Sequence, residues 1–321
     1  MDSNYTSVFY LDTLPYLHKG RAAALGFFDG IHAGHKKLIR YTVRTAATQG
    51  LTSTVLTFVN FNKGGEGLLT SIEEKRAILS SMGVDELLVL DFESVKDMPA
   101  SVFLSEIIGM KMNARVLISG EDYRFGKGAQ GDCVLMREYA EKNGIGVKIF
   151  EDQLYGEEKR RLSSTWLREA LSRGDVRLYG ELCSGTLFSY SGIVVRGKML
   201  GRKLGFPTVN ISIPEDKFKV RYGVYASRVI LGGRTLYGVT NVGLRPTVEE
   251  SDTAVAETYL FDTDEDLYGA RIKVELLEFI RPEKKFEDLT ALSGQVSQDK
   301  ISAAKFFAQS GTIVGNSEVN V

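Results

Sequence analysis

Through the first half of the chain, short apolar runs alternate with stretches whose apolar residues recur at helical spacing. The runs AAALGFF (22–28), STVLTFV (53–59), ELLVLDF (86–92), ARVLISG (114–120) and GVKIF (146–150) read as buried strands. Between them, residues 35–49, 71–83, 101–109 and 132–144 follow the helical period. Several of these stretches end at glycine, which suits a helix C-cap. This alternation predicts a doubly wound, parallel α/β sheet of the Rossmann-like kind, with ligands bound beyond the carboxyl ends of the strands.

After about residue 183 the pattern changes to glycine-rich, strand-like sequence. The stretch GVYASRVILGGRTLYGVTNVG has two alternating arms around Gly232 and Gly233, a hairpin signal. AVAETYLFD and ARIKVELLEFI read as further strands, and residues 286–309 as a helix. A small antiparallel β-barrel with one packed helix is predicted. The expected division is 1–183 for the α/β domain, 184–312 for the β domain and 313–321 for a flexible tail.

Composition narrows the function. Forty basic and 41 acidic residues give a net charge of −1, so a general polyanion surface is not expected and any phosphate site should be local. Neither a nucleic-acid nor a membrane partner is predicted. The N-terminus carries acids and no long apolar core, and no apolar run approaches the ~20 residues of a membrane span. Two cysteines, Cys133 and Cys183, lack metal or CxxC spacing and read as free thiols of a cytoplasmic protein.

Two stretches carry chemistry. In GFFDGIHAGHKKLI (26–39), Gly26 and Gly30 permit a tight turn with close backbone approach to a ligand, and a helix begins near Ala33. Free N–H groups and the dipole at that helix start attract phosphate. His32 and His35, three residues apart, project toward one spot and can donate to phosphate oxygens. Two surface histidines capping a helix, or a metal-binding pair lacking a third ligand, are the alternatives. The second stretch, GRKLGFPTVNI (201–211), is a glycine-rich loop of different character.

These motifs resemble a known family. FDGIHAGH is similar to the HxGH signature of the nucleotidyltransferases. ISGEDYRFGKGAQGD (118–132) and LSSTWLREAL (162–171) resemble two further motifs of one branch, the bacterial bifunctional riboflavin kinase/FAD synthetases. The resemblance implies nucleotide contacts by Gly26, Phe28, Asp29, Gly30, Asp122, Ser163, Ser164 and Thr165. It also implies catalytic donors at His32, His35 and Arg168. GKMLGRKLGFPTVNI resembles the kinase signature: Gly201 and Gly205 would approach phosphates, and Pro207 would stiffen the turn. Thr208 and Asn210 would offer hard oxygen ligands to Mg²⁺ on ATP. Glu257, in AVAETYLFD, takes the family's general-base position. ATP, riboflavin and FMN are the implied substrates and FAD the final product. The two reactions are riboflavin kinase (EC 2.7.1.26) and FMN adenylyltransferase (EC 2.7.7.2).

One departure stands out. Where the family carries Pro-His-Pro after the second of these strands, this chain has Asn60, Phe61 and Asn62. A kinase with an impaired or re-purposed N-terminal module is therefore the alternative. A flavin binder without catalysis is disfavoured, because a pure binder has no use for a base at the ribityl end.

Overall fold

Alanine fills the middle of the central strand of the first half, and this lets two layers of helices close on the sheet. The computed structural model describes residues 5–13, 19–60, 65–196, 206–245, 253–263 and 265–310. It divides into two compact units, Met1–Ser164 and Thr165–Val321.

The first unit holds strands β1 (Ser7–Tyr10), β2 (Arg21–Leu25), β3 (Thr52–Val59), β4 (Glu86–Asp91), β5 (Ala114–Gly120) and β6 (Gly146–Phe150). All pair in parallel, in the order β1-β4-β3-β2-β5-β6. Successive residues go to opposite faces. Ala22, Ala24, Val55, Leu87 and Val89 share one core with Leu38 and Ile39 of helix α1 (Ala33–Gln49) and Leu79 of α2 (Ile72–Ser81). Ala23, Leu25, Leu56, Leu88 and Leu90 form the other. That second core is shared with a π-helical turn, Phe103–Lys111, and with Met136 of helix α3 (Cys133–Lys142).

From β2 the chain moves outward through β3 and β4, then crosses back to place β5 on the far side of β2. The order reverses there, so the crevice that such sheets offer to ligands opens at the carboxyl ends of β2 and β5. Two differences from the sequence reading follow. The apolar run 22–28 ends as a strand at Leu25, because residues 26–31 leave the sheet to form a turn. It is also the second strand, since the four-residue edge strand β1 is too short to declare itself. Helix α1 does end at glycine as expected, with Gly50 left-handed at φ 65°.

The second unit is an antiparallel sheet of β9 (Ser189–Ile193), β10 (Thr208–Ser212), β11 (Gly223–Leu231), β12 (Arg234–Arg245), β13 (Thr253–Leu260) and β14 (Arg271–Pro282). Its order is β10-β13-β12-β11-β14-β9. A bridge between Val195 and Asn210, with Val195 N–H donating to the Asn210 carbonyl at 2.8 Å, brings the two edges together and nearly closes a barrel. Gly232 and Gly233 make the β11–β12 turn with both φ values positive, as the short hairpin requires. The helix expected at 286–309 is α6 (Leu289–Gln309), capped by Asp288. Its Phe307 packs on Val224, Ala226 and Val239. Two short helices, α4 (Ser164–Ser172) and α5 (Val176–Leu182), also pack in this unit. Arg221 N–H donates to Leu171 O at 3.0 Å, and Arg177 pairs with Glu278 at 2.7 Å. These contacts group α4 and α5 with the second unit.

At the amino ends of the strands, opposite the crevice, Arg21 is fully buried. It donates to Glu86 Oε2 at 2.7 Å and to Met112 O at 2.9 Å, while Thr54 Oγ1 donates to the same carboxylate oxygen at 2.8 Å. Removing one partner strands a buried charge. Glu86→Ala is expected to destabilise the first unit by roughly 3–5 kcal/mol, and Arg21→Met with Glu86→Leu by far less. Urea unfolding followed in that unit checks the order.

Candidate functional site

The turn between β2 and α1 holds an unusual backbone. Phe28, Gly30 and Ile31 all have positive φ, at 51°, 86° and 38°. Such values in Phe and β-branched Ile cost of order 1–3 kcal/mol each, and they persist only where the surroundings dictate them. Here five hydrogen bonds do so. Gly30 N–H donates to Thr70 Oγ1 at 2.9 Å, and Thr70 N–H to Asp29 Oδ1 at 3.0 Å. Phe27 O accepts from Thr57 Oγ1 at 2.7 Å and from Lys75 Nζ at 2.8 Å. Ser164 Oγ donates to Asp29 O at 2.8 Å.

The turn delivers both histidines. His32 is the N-cap of α1, and its Nδ1 accepts from His35 N–H at 3.3 Å, so its proton sits on Nε2. The two imidazoles stack with centroids 3.7 Å apart and planes 16° apart. Their common direction follows from the three-residue spacing. The edge of Phe28 backs His35 at 5.1 Å. The glycine of HxGH also has a reason: a Cβ at Gly34 would lie 3.2 Å from His32 Cε1 and Nδ1. His35 Nδ1 is buried without a hydrogen-bond partner among the described residues, an unmet demand facing this site.

Both rings are neutral at pH 7. Burial pushes the His32 pKa down to about 4; nearby Asp122 opposes this and Arg161 adds to it. Burial, then His32 and Lys75, hold His35 well below its ordinary value. They are therefore neutral N–H donors rather than cations, with the tautomer of His32 fixed by the hydrogen bond from His35 N–H. Charge at the rim comes from Arg161 on the hairpin β7 (Leu154–Tyr155) and β8 (Arg160–Arg161), which is paired with Asp122 and, at 2.7 Å, with Asp152.

The other expected residues of this site fall into groups. Phe28 and Asp29 are 2% and 1% exposed, so their side chains shape the turn instead of lining it. Asp122 lies at the carboxyl end of β5, beside the switch point. Ser164 ties to the turn, whereas Thr165 and Arg168 belong to the second unit, where the Arg168 guanidinium lies 5.9 Å from the Phe218 ring. A link from Arg168 to the histidines rests on the motif alone. Asn60 closes β3 with a left-handed φ of 57° and donates to Asp91 Oδ1 at 3.0 Å. Phe61 and Asn62 lie outside the described residues.

In the barrel, strand register assembles the second site. Asn210 on β10 stands directly opposite Glu257 on β13, which in turn stands opposite Asn241 on β12. Thr208 stands opposite Tyr259 in the same way. Directly opposed residues have Cβ atoms about 5 Å apart, so Thr208, Asn210, Glu257 and Asn241 share one face. Tyr259, on that face, accepts from Lys300 of α6 at 3.0 Å. Asn210 is 3% exposed, and its Nδ2 donates to Thr208 O at 3.3 Å. That orientation leaves the buried Oδ1 without a donor among the described residues. An orphaned amide oxygen beside a threonine hydroxyl fits a hard cation. Pro207 directly precedes β10; Gly201 and Gly205 lie outside the described residues.

Sequence reasoning missed Thr70, Lys75 and Asn241. Lys75 had left a signal, for it lies four residues before Leu79 on the buried stripe of α2. Asn241 became visible only once the register was known.

Neutral histidines have a measurable consequence. Below pH 6.5 the unfolded chain takes up protons at positions 32 and 35 that the folded protein does not, so folding stability declines between pH 6.5 and about 4. Long-range ¹H–¹⁵N spectra are expected to show His32 titrating near pH 4 and His35 well below the ordinary imidazole value. A midpoint of 6 to 7 at either ring would contradict the assignment.

Comparison with known proteins matches both halves. The family model for FAD synthetase matches residues 15–166, and that for riboflavin kinase matches residues 184–307. The bifunctional riboflavin kinase/FMN adenylyltransferase of Bacillus subtilis (strain 168) is 32% identical over 89% of this chain and 92% of its own. The Escherichia coli (strain K12) protein of the same description is 34% identical over 90% and 93%. A crystal structure from Streptococcus pneumoniae, described as a macrolide-efflux protein, superposes with a TM-score of 0.81 at 27% identity, covering 92% of this chain and 98% of that one. With both modules present in one order and the relatives matched nearly end to end, the chain belongs to the bifunctional riboflavin kinase/FMN adenylyltransferase family.

Proposed function

We propose that this chain makes FAD from riboflavin in two steps. The β module, 184–312, transfers a phosphoryl group from ATP to riboflavin, giving FMN and ADP. The α/β module, 1–183, transfers AMP from a second ATP to FMN, giving FAD and pyrophosphate. The row Asn210, Glu257 and Asn241 carries the reading, because it sets a carboxylate beside an unpartnered metal-type oxygen. Among the described residues no helix is long and apolar enough to cross a membrane. With both cysteines present as thiols, we place the activity in the cytoplasm.

The two nucleophiles differ, and so do the sites. A ribityl hydroxyl is neutral and must lose a proton as it attacks phosphorus; Glu257 accepts it. Asn210 Oδ1 and Thr208 Oγ1 would hold Mg²⁺ with ATP. The ion, when bound, neutralises charge on the phosphates. FMN, in contrast, attacks through a phosphate oxygen already ionised near neutral pH. That site needs alignment and hydrogen-bond donors rather than a base. The neutral N–H groups of His32 and His35 supply donors without the burial cost of a cation, and Ser164 holds the turn beneath them.

A second reading keeps the kinase and supposes a weakened adenylyltransferase. It is motivated by Asn60, whose carboxamide is engaged with Asp91 at the carboxyl end of β3.

Purified protein with riboflavin, ATP and Mg²⁺ is expected to yield FMN and then FAD; FMN alone supports the second reading, and neither product refutes both. Glu257→Ala should lower FMN formation by about 10²–10⁴-fold while sparing FMN-to-FAD conversion. His32→Ala with His35→Ala should do the reverse, by at least ~10²-fold. If either change abolished both reactions in folded protein, the two-site assignment would fail. Asn210→Ala should raise the Mg²⁺ concentration needed for half-maximal FMN formation and leave adenylyl transfer unaltered.

A further inference from the structure

A buried ammonium lies under the histidine turn, and the chemistry above does not use it. Lys75 is 1% exposed. Its Nζ donates to Phe27 O at 2.8 Å and to Thr57 Oγ1 at 3.0 Å, and it sits 4.5 Å from the centroid of the Phe27 ring. Phe27 is the residue just before the first positive φ of the turn. The cation thus grips the carbonyl from which the strained segment departs. Among the described residues two titratable groups face it, Asp29 from the turn and His35 from α1. Strand β3 presents the neutral Thr57, and on its own helix Glu74 is turned away to cap Ser71 N–H at 2.8 Å.

Burying a lysine this thoroughly is costly, and a methionine would fill the space with less penalty. Its charge therefore calls for a use. The imidazoles above it are neutral, so Lys75 brings positive charge to the underside of a turn built to receive phosphates. The contribution acts at short range in a dry setting, where it is screened least.

We propose that Lys75 is a positioning residue for FMN adenylylation, its ammonium holding the Phe27 carbonyl and charging the underside of the turn, so that this step but not riboflavin phosphorylation depends on its protonation. The inference rests on assigning adenylyl transfer to His32 and His35. It has a consequence for product: at alkaline pH the protein should release FMN in place of FAD.

Burial brings the Lys75 pKa down to about 8, against the pull of Asp29. The sign of the linkage separates positioning from mere support. Between pH 8 and the ordinary lysine value the folded protein binds fewer protons than the unfolded chain, so this group makes folding more favourable as pH rises. Activity should fall in the range where Lys75 makes the fold more stable. A purely structural lysine would not produce that opposition.

The test uses the full-length protein from pH 7 to 9.2, with FMN formation as the internal reference because it shares MgATP. In wild type, kcat for FMN-to-FAD conversion should fall about tenfold with a midpoint near 8, while FMN formation lacks this limb and the thermal transition of the first unit does not drop. Lys75→Met should lose tenfold or more in kcat at pH 7 and show no limb. Lys75→Arg, charged throughout, should keep measurable activity without the limb. A flat wild-type profile, or the same limb in Lys75→Met or Lys75→Arg, overturns the proposal. Should a variant fail to fold, the wild-type activity and thermal profiles decide alone. FAD synthesis surviving in the His32→Ala, His35→Ala protein would instead remove the site assignment, a distinct failure.

Discussion

Strand register is the constraint on which the kinase half depends. Asn210, Glu257 and Asn241 lie on three different strands, and hydrogen bonding alone puts them in one row. A slip of one residue between β10 and β13 would send Glu257 to the other face and set Ala256 in its place. The barrel guards against this from both sides of β10: five ladder positions fix it to β13, and Val195 bonds the Asn210 carbonyl from the opposite edge. The register of this row and the closure of the barrel are thus set by the same backbone bonds.

The α/β half solves a different problem by different means. The segment between β2 and α1 is a turn held in left-handed conformations by Thr70, Thr57, Lys75 and Ser164, all outside the turn. Strain of this kind fixes where backbone and imidazole donors point before any ligand arrives. Both histidines remain neutral, so their contribution is direction. Lys75 lies beneath the turn, and Arg161 at the rim is paired with Asp122 and Asp152. On the proposed chemistry, a nucleophile that is already an anion needs alignment and donors, whereas a neutral hydroxyl also needs a proton acceptor.

Much of the architecture was legible in the chain. Runs of Val, Leu, Ile and Ala gave β3 to β6 nearly residue for residue, and Gly232 with Gly233 marked the hairpin. The spacing of His32 and His35 foretold that the rings share a direction. Other features depend on contacts no local pattern encodes. β1 is a strand because β4 offers it a partner, not because SVFY is distinctive. Phe28 and Asp29 belong to a motif that invited a ligand role, yet their side chains are buried in building the turn. Asn241 joins Glu257 only through pairing of β12 with β13. Lys75 is buried by the packing of α2 against the sheet.

The central claim is that one chain holds two chemically independent sites. Mixing folded Glu257→Ala protein with folded His32→Ala, His35→Ala protein tests it most directly, with riboflavin, ATP and Mg²⁺ supplied and FAD measured. Each protein should fail alone, and the mixture should form FAD as FMN released by one is taken up by the other. A mixture as inactive as its parts, under conditions where wild type makes FAD, would contradict the account.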